Sequence, residues 1–184
     1  MAVHEAVLGR FFEDYVVGDV YQHPIGRTIS EADNTWITLL SMNTNQNHFN
    51  AHLAAQNPIT DGKVIVNSGL TVAVVLGISV LDMSQNAISN LAFTDIKMSN
   101  PVYVGDTIYA ESICTGLRRS ESRPYAGIVS MITRGLNQEG TEVISWKRSV
   151  MVATRDSGIG RNYFPEATNG PLRLPSSDTE GAQS

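Results

Sequence analysis

The apolar run GLTVAVVLGISVLDM, from Gly69 to Met83, constrains this chain more than any other segment. It is too short to cross a bilayer and carries Thr71, Ser79 and Asp82, so it predicts a buried helix of a soluble domain. Asn67-Ser68-Gly69 opens it, and the small residues Gly69, Ala73 and Gly77 recur at every fourth position, a spacing that would let another backbone approach closely. Downstream the period changes. Ile88–Met98, Thr107–Leu117, Ala126–Leu136 and Val143–Val152 read as strands, separated by Pro101, Gly105, Pro124 and Gly140. One buried helix followed by these four strands, with a further strand over Val20–Thr28, predicts an α+β domain in which an antiparallel β-sheet wraps around a central α-helix.

A chain of 184 residues, 42% hydrophobic and 17% charged, suffices for one core rather than two. The net charge of −5 argues against a surface that wraps a polyanion, so no nucleic-acid partner is expected. The single cysteine, Cys114, excludes an intrachain disulfide framework and a multi-cysteine zinc site, and it suits a reducing compartment. Mid-strand and without a histidine partner, it reads as a structural thiol. The segment Met1–Val7 lacks the basic start and apolar stretch of a signal peptide, so the expected location is cytoplasmic, with no membrane partner. The expected organisation is an N-terminal extension over 1–9, a domain over 10–153 and a Pro/Gly-rich tail over 154–184. In that tail Tyr163, Phe164 and Leu172 offer apolar anchors for local docking.

Upstream of the apolar run, Ser30-Glu31-Ala32-Asp33 has the form of a capping box. It precedes Trp36, Leu39 and Leu40 at helical spacing, which predicts a helix over about 31–42. The stretch Asn43-Thr44-Asn45-Gln46-Asn47-His48-Phe49-Asn50 suits turns, because asparagine bonds back to its own backbone. A short helix over about 51–56 follows. Val17-Gly18-Asp19 and Val104-Gly105-Asp106 echo one another as turns that lead into strands. The polar loop is the sharpest chemical feature. Imidazole is the side chain that changes protonation near neutral pH, and amides beside it can fix a water or a carbonyl. A loop or capping role for His48 is the competing reading. His4, His23 and His52 have no metal-ligand company, so no metal site is predicted.

The order and spacing of these fragments resemble the MaoC-like, hot-dog-fold (R)-specific enoyl-CoA hydratases and dehydratases, nearest the itaconyl- and mesaconyl-CoA hydratase branch. The family motif runs Gly-Asp-x-Asn-Pro-x-His, and here the stretch reads Met42-Asn43-Thr44-Asn45-Gln46-Asn47-His48. The likeness continues in Phe12-Glu13-Asp14-Tyr15 and Val16-Val17-Gly18-Asp19, in Gly26-Arg27-Thr28-Ile29-Ser30, in Val66-Asn67-Ser68-Gly69 and in Pro101-Val102-Tyr103-Val104-Gly105-Asp106, over residues 10 to 153. The resemblance implies reversible hydration of an enoyl-CoA, or dehydration of the 3-hydroxyacyl-CoA, with a branched or dicarboxylic acyl group within range. CoA is then part of the substrate and no separate cofactor is implied. It also implies a homodimer or higher homo-oligomer, with CoA near the subunit junction.

Carried over residue by residue, the resemblance makes His48 the acid/base and Asn45 the family asparagine in substrate binding. It gives the backbone at Ser68 and Gly69 the role of oxyanion donor, with Gly69 letting the thioester come close. Arg123, restrained by Pro124, is the basic residue singled out for the CoA phosphates, with Lys97, Arg118 and Arg119 as further candidates. Asn43 stands where the family has its catalytic aspartate, and an amide orients water but accepts no proton from it at neutral pH. Three explanations remain open at this point: His48 alone does the acid and base work with Asn43 positioning water or thioester; Asp61 supplies the missing acid; or hydration has been lost. The corresponding alternatives are a noncatalytic acyl-CoA-binding or partner subunit of a hot-dog assembly, and a hot-dog acyl-CoA thioesterase.

Overall fold

The computed structural model describes residues 9–159 and 164–173. Residues 9–159 belong to one compact unit. The described segment 164–173 belongs to a second unit and, taken by itself, is an exposed run with one turn, closed by Gly170 N–H donating to the Ala167 carbonyl. In it Phe164 and Leu172 are exposed, while Tyr163 lies outside the described residues.

Strand β1 (Val20–Gln22) and strand β2 (Arg27–Thr28) take the place of the single strand expected over 20–28. Both pair with the same later strand, and pairing continues to His23, whose N–H donates to the Ala110 carbonyl, before it breaks at Pro24. Proline has no N–H to give the ladder, which accounts for the interruption. Helix α1 (Glu31–Leu40) begins at the expected capping box: Ser30 Oγ accepts from Asp33 N–H and the Asp33 carboxylate accepts from Ser30 N–H. Helix α2 is the short Ala51–Ala54, and α3 spans Ser68–Met83. The long strands are β3 (Ala87–Met98), β4 (Thr107–Arg119), β5 (Ala126–Leu136) and β6 (Glu142–Ala153).

The sheet is antiparallel with order β1-β4-β5-β6-β3, and β2 also rests on β4. β3 is therefore an edge strand with one unpaired side. The sheet packs on α3 through two apolar clusters. Ile29, Val66, Leu70, Val75 and Trp146 fill one, and Phe12, Tyr15, Met83, Val129 and Val152 fill the other. The second requires Gly127, because a Cβ there would fall 2.2 Å from the Phe12 ring. The body runs past the expected boundary at 153: Thr154 N–H donates to the Tyr125 carbonyl and Arg155 N–H to the Glu13 carboxylate.

One expectation changes, and the facing of α1 is new. α3 buries Leu70, Thr71, Val75, Ser79 and Met83; Gly69, Ala73 and Gly77 are exposed, and no atom lies within 4 Å of a Cβ placed at Gly77. The small-residue face thus meets no other backbone among the described residues. In α1 the apolar pattern points outward, with Trp36 71%, Leu39 60% and Leu40 77% exposed, while the polar Asn34 and Thr38 are buried.

Candidate functional site

The inversion of α1 is explained by what Asn34 holds. Its Nδ2 donates to the His48 carbonyl at 2.8 Å and to the Ile65 carbonyl at 3.2 Å, while its Oδ1 accepts Asn67 N–H at 2.8 Å. Asn67 Nδ2 in turn donates to Thr38 Oγ1 at 3.1 Å. A buried amide is tolerated only when its donors and acceptor are matched, and here four backbone groups, Gly69 N–H among them, and a hydroxyl match two amides. Asn34 and Thr38, one helical turn apart, thereby tie α1 to the polar loop and to the start of α3.

The loop is made of side chains that bond locally. Asn43 Oδ1 accepts Asn45 N–H at 2.9 Å, Asn45 Oδ1 accepts Asn47 N–H at 3.1 Å, and a single 3₁₀ turn over Gln46–His48 follows. These Asx turns explain why an asparagine-rich run is needed. They leave the Nδ2 group of Asn43 and of Asn45 without a partner among the described residues, so each has a free donor to present. The turn delivers a half-buried His48 whose Nδ1 lies 2.9 Å from the Ile65 carbonyl. A carbonyl can only accept, so the neutral ring carries its proton on Nδ1 and keeps a lone pair on Nε2. Nε2 has no partner among the described residues.

Ile65 is also where the loop meets α3. Helix starts present unpaired N–H groups, and here the N-cap Asn67 takes one of them: its Oδ1 accepts Gly69 N–H at 2.8 Å. The Asn67 carbonyl accepts from Leu70 and Thr71. The N–H left without an acceptor among the described residues is that of Ser68, which is exposed and lines a cavity of about 260 Å³ with Ile65, Thr71, Met98 and Asn100. The oxyanion assignment to Gly69 is corrected accordingly, since that N–H is already engaged; Ser68 is the free donor. The absence of a side chain at 69 serves the cap itself, because a Cβ there would lie 3.1 Å from Asn67 Oδ1.

Asn43 lines a separate open groove of about 490 Å³ whose walls are Leu39, Met42 and Phe49, which explains why these apolar side chains face outward. Arg123 is elsewhere. It sits in the β4–β5 loop, its Nη1 against Met151 Sδ at 3.4 Å, beside Tyr125, whose carbonyl accepts from Thr154. The next residue back, Ala153, bonds to Asn86 just beyond the C-terminal end of α3. Within one chain Arg123 and Ser68 lie at opposite ends of a helix about 24 Å long. Asp61 is exposed at the end of a 3₁₀ turn with φ +56°, a turn position rather than a site acid. His52 is exposed and paired with Gln56, and Cys114 is buried, which raises its thiol above the usual range.

His23 is the second histidine with a network. Its Nδ1 contacts Asp82 Oδ2 at 2.9 Å and its Nε2 contacts Ser112 Oγ at 3.0 Å, with Ser112 passing the chain to Thr133. Arg10 closes the other carboxylate oxygen of Asp82 at 2.9 Å. Among the described residues no cluster of metal-ligating side chains is present. No helix of the described residues is long and apolar enough to cross a membrane.

Known proteins share this fold. A putative MaoC-domain dehydratase from Chloroflexus aurantiacus superposes with a TM-score of 0.72 at 29% identity, covering 91% of this chain and 48% of that one. A Mycobacterium tuberculosis protein with a double hot-dog fold superposes with a TM-score of 0.71 at 21% identity, covering 96% of this chain and 53% of that one. The fold is a hot-dog of the MaoC-like class. Residues 3–166 match the mesaconyl-CoA hydratase family, and the chain belongs to it. The mesaconyl-CoA hydratase of Cereibacter sphaeroides is 35% identical over 159 residues, covering 81% of this chain and 43% of that protein. The chain thus spans less than half the length of that relative.

Proposed function

We propose that this chain hydrates an enoyl-CoA reversibly, with His48 as the acid/base and Ser68 N–H as the oxyanion donor. The observation that carries the reading is the Nδ1–H bond from His48 to Ile65, which leaves Nε2 basic on a loop tied by Asn34 and Asn67 to the start of α3. Nε2 takes a proton from water as its oxygen bonds to the β-carbon of the thioester. The π electrons move onto the thioester oxygen, where Ser68 N–H and the positive end of α3 stabilise the enolate. The same proton then passes from Nε2 to the α-carbon, restoring the carbonyl. The free Nδ2 of Asn43 donates to the water or the thioester and takes no proton. The family relative supports a branched dicarboxylic acyl group such as mesaconyl.

The active form in this reading is a homodimer or higher homo-oligomer. The unpaired side of β3, the exposed Gly69/Ala73/Gly77 face of α3 and the greater length of the relatives support a second copy of the unit. Such pairing also offers a way for Arg123, remote within one chain, to meet CoA bound at its partner.

The test is turnover of crotonyl-, mesaconyl- and itaconyl-CoA by purified protein, read as loss of the conjugated enoyl absorbance, with Asn43→Asp in parallel. Turnover without thiol release supports hydration, and thiol release from a saturated acyl-CoA would mean a thioesterase. One observation favours a noncatalytic binder: Asn43 Oδ1 is held in an Asx turn and no carboxylate among the described residues bonds to His48. A silent wild type with activity gained in Asn43→Asp would establish that reading.

A further inference from the structure

Strand β6 carries a cation that the proposed reaction does not use. Arg148 is 3% exposed, and its guanidinium lies over the Phe93 ring, 5.3 Å from the centroid. Its Nε donates to Asn90 Oδ1 at 2.9 Å, and Nη2 donates to the same oxygen. Nη1 is buried and has no acceptor among the described residues. None of the ion pairs among the described residues includes Arg148. Burial pushes its pKa down to about 10, so it remains charged at neutral pH. A guanidinium held in the interior without an anion is strongly unfavourable unless something supplies the missing acceptor.

Beside it, between α3 and β3, lies a cavity of about 280 Å³ lined by Leu76 and Val80 from the helix, Ile88, Ser89 and Asn90 from the strand, and by Ser84 and Arg148. We propose that this cavity is a carboxylate-binding site in which the Arg148 guanidinium holds the anion and the Leu76–Val80 wall covers a short carbon chain. A guanidinium with no ion-pair partner among the described residues suits a single carboxylate, and charge-assisted bonds of this kind are strong.

The carboxylate has two possible sources: a free dicarboxylate or the distal end of a dicarboxylic acyl-CoA. Leu76 and Val80 lie about 12–18 Å along α3 from Ser68, so a short acyl group at one chain's Ser68 stops short of that chain's Arg148. The acyl source therefore requires a thioester held by a second copy, and only this source rests on the hydration reading. Both are tested as binding, without turnover, so the failure of hydration and the failure of this site are separable.

The experiment measures thermal melts of the wild-type chain in succinate against chloride at matched ionic strength, and calorimetric affinities for mesaconyl- and crotonyl-CoA. Both are repeated in Arg148→Met and Asn90→Asp. Loss of the hydrogen-bonded cation is expected to lower the mesaconyl-to-crotonyl affinity ratio by about tenfold or more if the acyl group is the source. A saturable succinate stabilisation, present in the wild type and absent from Arg148→Met with the ratio unchanged, identifies a free dicarboxylate. Asn90→Asp supplies an internal anion to the guanidinium, so it keeps the fold and is expected to suppress whichever response the wild type shows. A wild type indifferent to succinate together with one affinity ratio common to wild type and variants overturns the proposal, as does a wild-type response that survives in Asn90→Asp.

Discussion

The two ends of α3 each hold a histidine in a hydrogen-bonded network, and the two networks are built to different ends. At the C-terminal end both nitrogens of His23 are engaged, by Asp82 and Ser112, and the ring is fully buried. Tyr15 O–H reaches the Asp82 carbonyl, and burial holds that phenol well above its usual range. Carboxylate, imidazole and hydroxyl stand in the order of a catalytic triad, yet Ser112 Oγ also bonds Thr133 Oγ1 and is closed to solvent. At the N-terminal end His48 has one nitrogen fixed and one open. A histidine satisfied on both sides is a fastener, and one satisfied on a single side is a positioned base.

The strongest test of that contrast is His48→Ala. Removing a general acid/base is expected to lower turnover by about 10²–10⁴-fold. The far-UV spectrum and melting temperature should stay close to wild type, because Ile65's carbonyl keeps its bond from Asn34. A variant that melts early, with activity per folded molecule intact, would make His48 a fastener too. The converse variant is Asp82→Ala. It strands a buried imidazole and an arginine at once, and breaking such a partly buried cluster is expected to cost about 3 kcal/mol in urea unfolding. Activity per folded molecule should persist, and its loss at full stability would mean that the C-terminal network takes part in the reaction.

Asn34 lies between these extremes, since it both stabilises and positions. Asn34→Ala leaves the Asn67 N–H and the His48 carbonyl without their partner, which is expected to cost about 2 kcal/mol. A purely structural loss would stop there. A positioning role adds a fall in kcat of about tenfold with a smaller change in KM, because His48 Nε2 and Ser68 N–H lose their common anchor. Equal loss in kcat and in folded fraction would reduce Asn34 to packing.

What the sequence shows of this molecule follows from the range of the forces involved. The apolar run and the strand-like segments are periodic over ten or more residues, and the observed α3 and β3–β6 match them to within a residue or two at most ends. The bounds of helix α1 are legible, but which face it buries is not, because its orientation is set by bonds to residues 14, 31 and 33 positions away. No local pattern encodes those. Some of the site is legible: an N-cap asparagine accepts from the second or third helical residue, so Asn67 before Ser68-Gly69 makes Gly69 N–H one of two candidates to be engaged. Adjacent Lys147 and Arg148 in an alternating strand likewise require one to face the core. Arg123 is different in kind, since which end of the sheet a loop occupies depends on the whole topology.

The smallest effect is expected where α1 begins. The Asp33 carboxylate accepts from Ser30 N–H and pairs with Arg27 at 2.6 Å, and these bonds hold its pKa below the ordinary 3.8. A carboxyl depressed on folding stabilises the native state above its unfolded value and loses that contribution as pH falls through the lower folded one. Wild-type stability should therefore decline in acid below about pH 4 with a component that Asp33→Asn lacks. At neutral pH the same substitution should cost about 1 kcal/mol, the usual worth of a cap. Because α1 carries Asn34 on its first turn, a loosened start should also weaken the hold on His48. Urea unfolding of both proteins from pH 7 down to pH 3 separates the two contributions. If the curves run parallel, the capping box does not titrate with folding, and the anchoring of the loop rests on Asn34 and Thr38 alone.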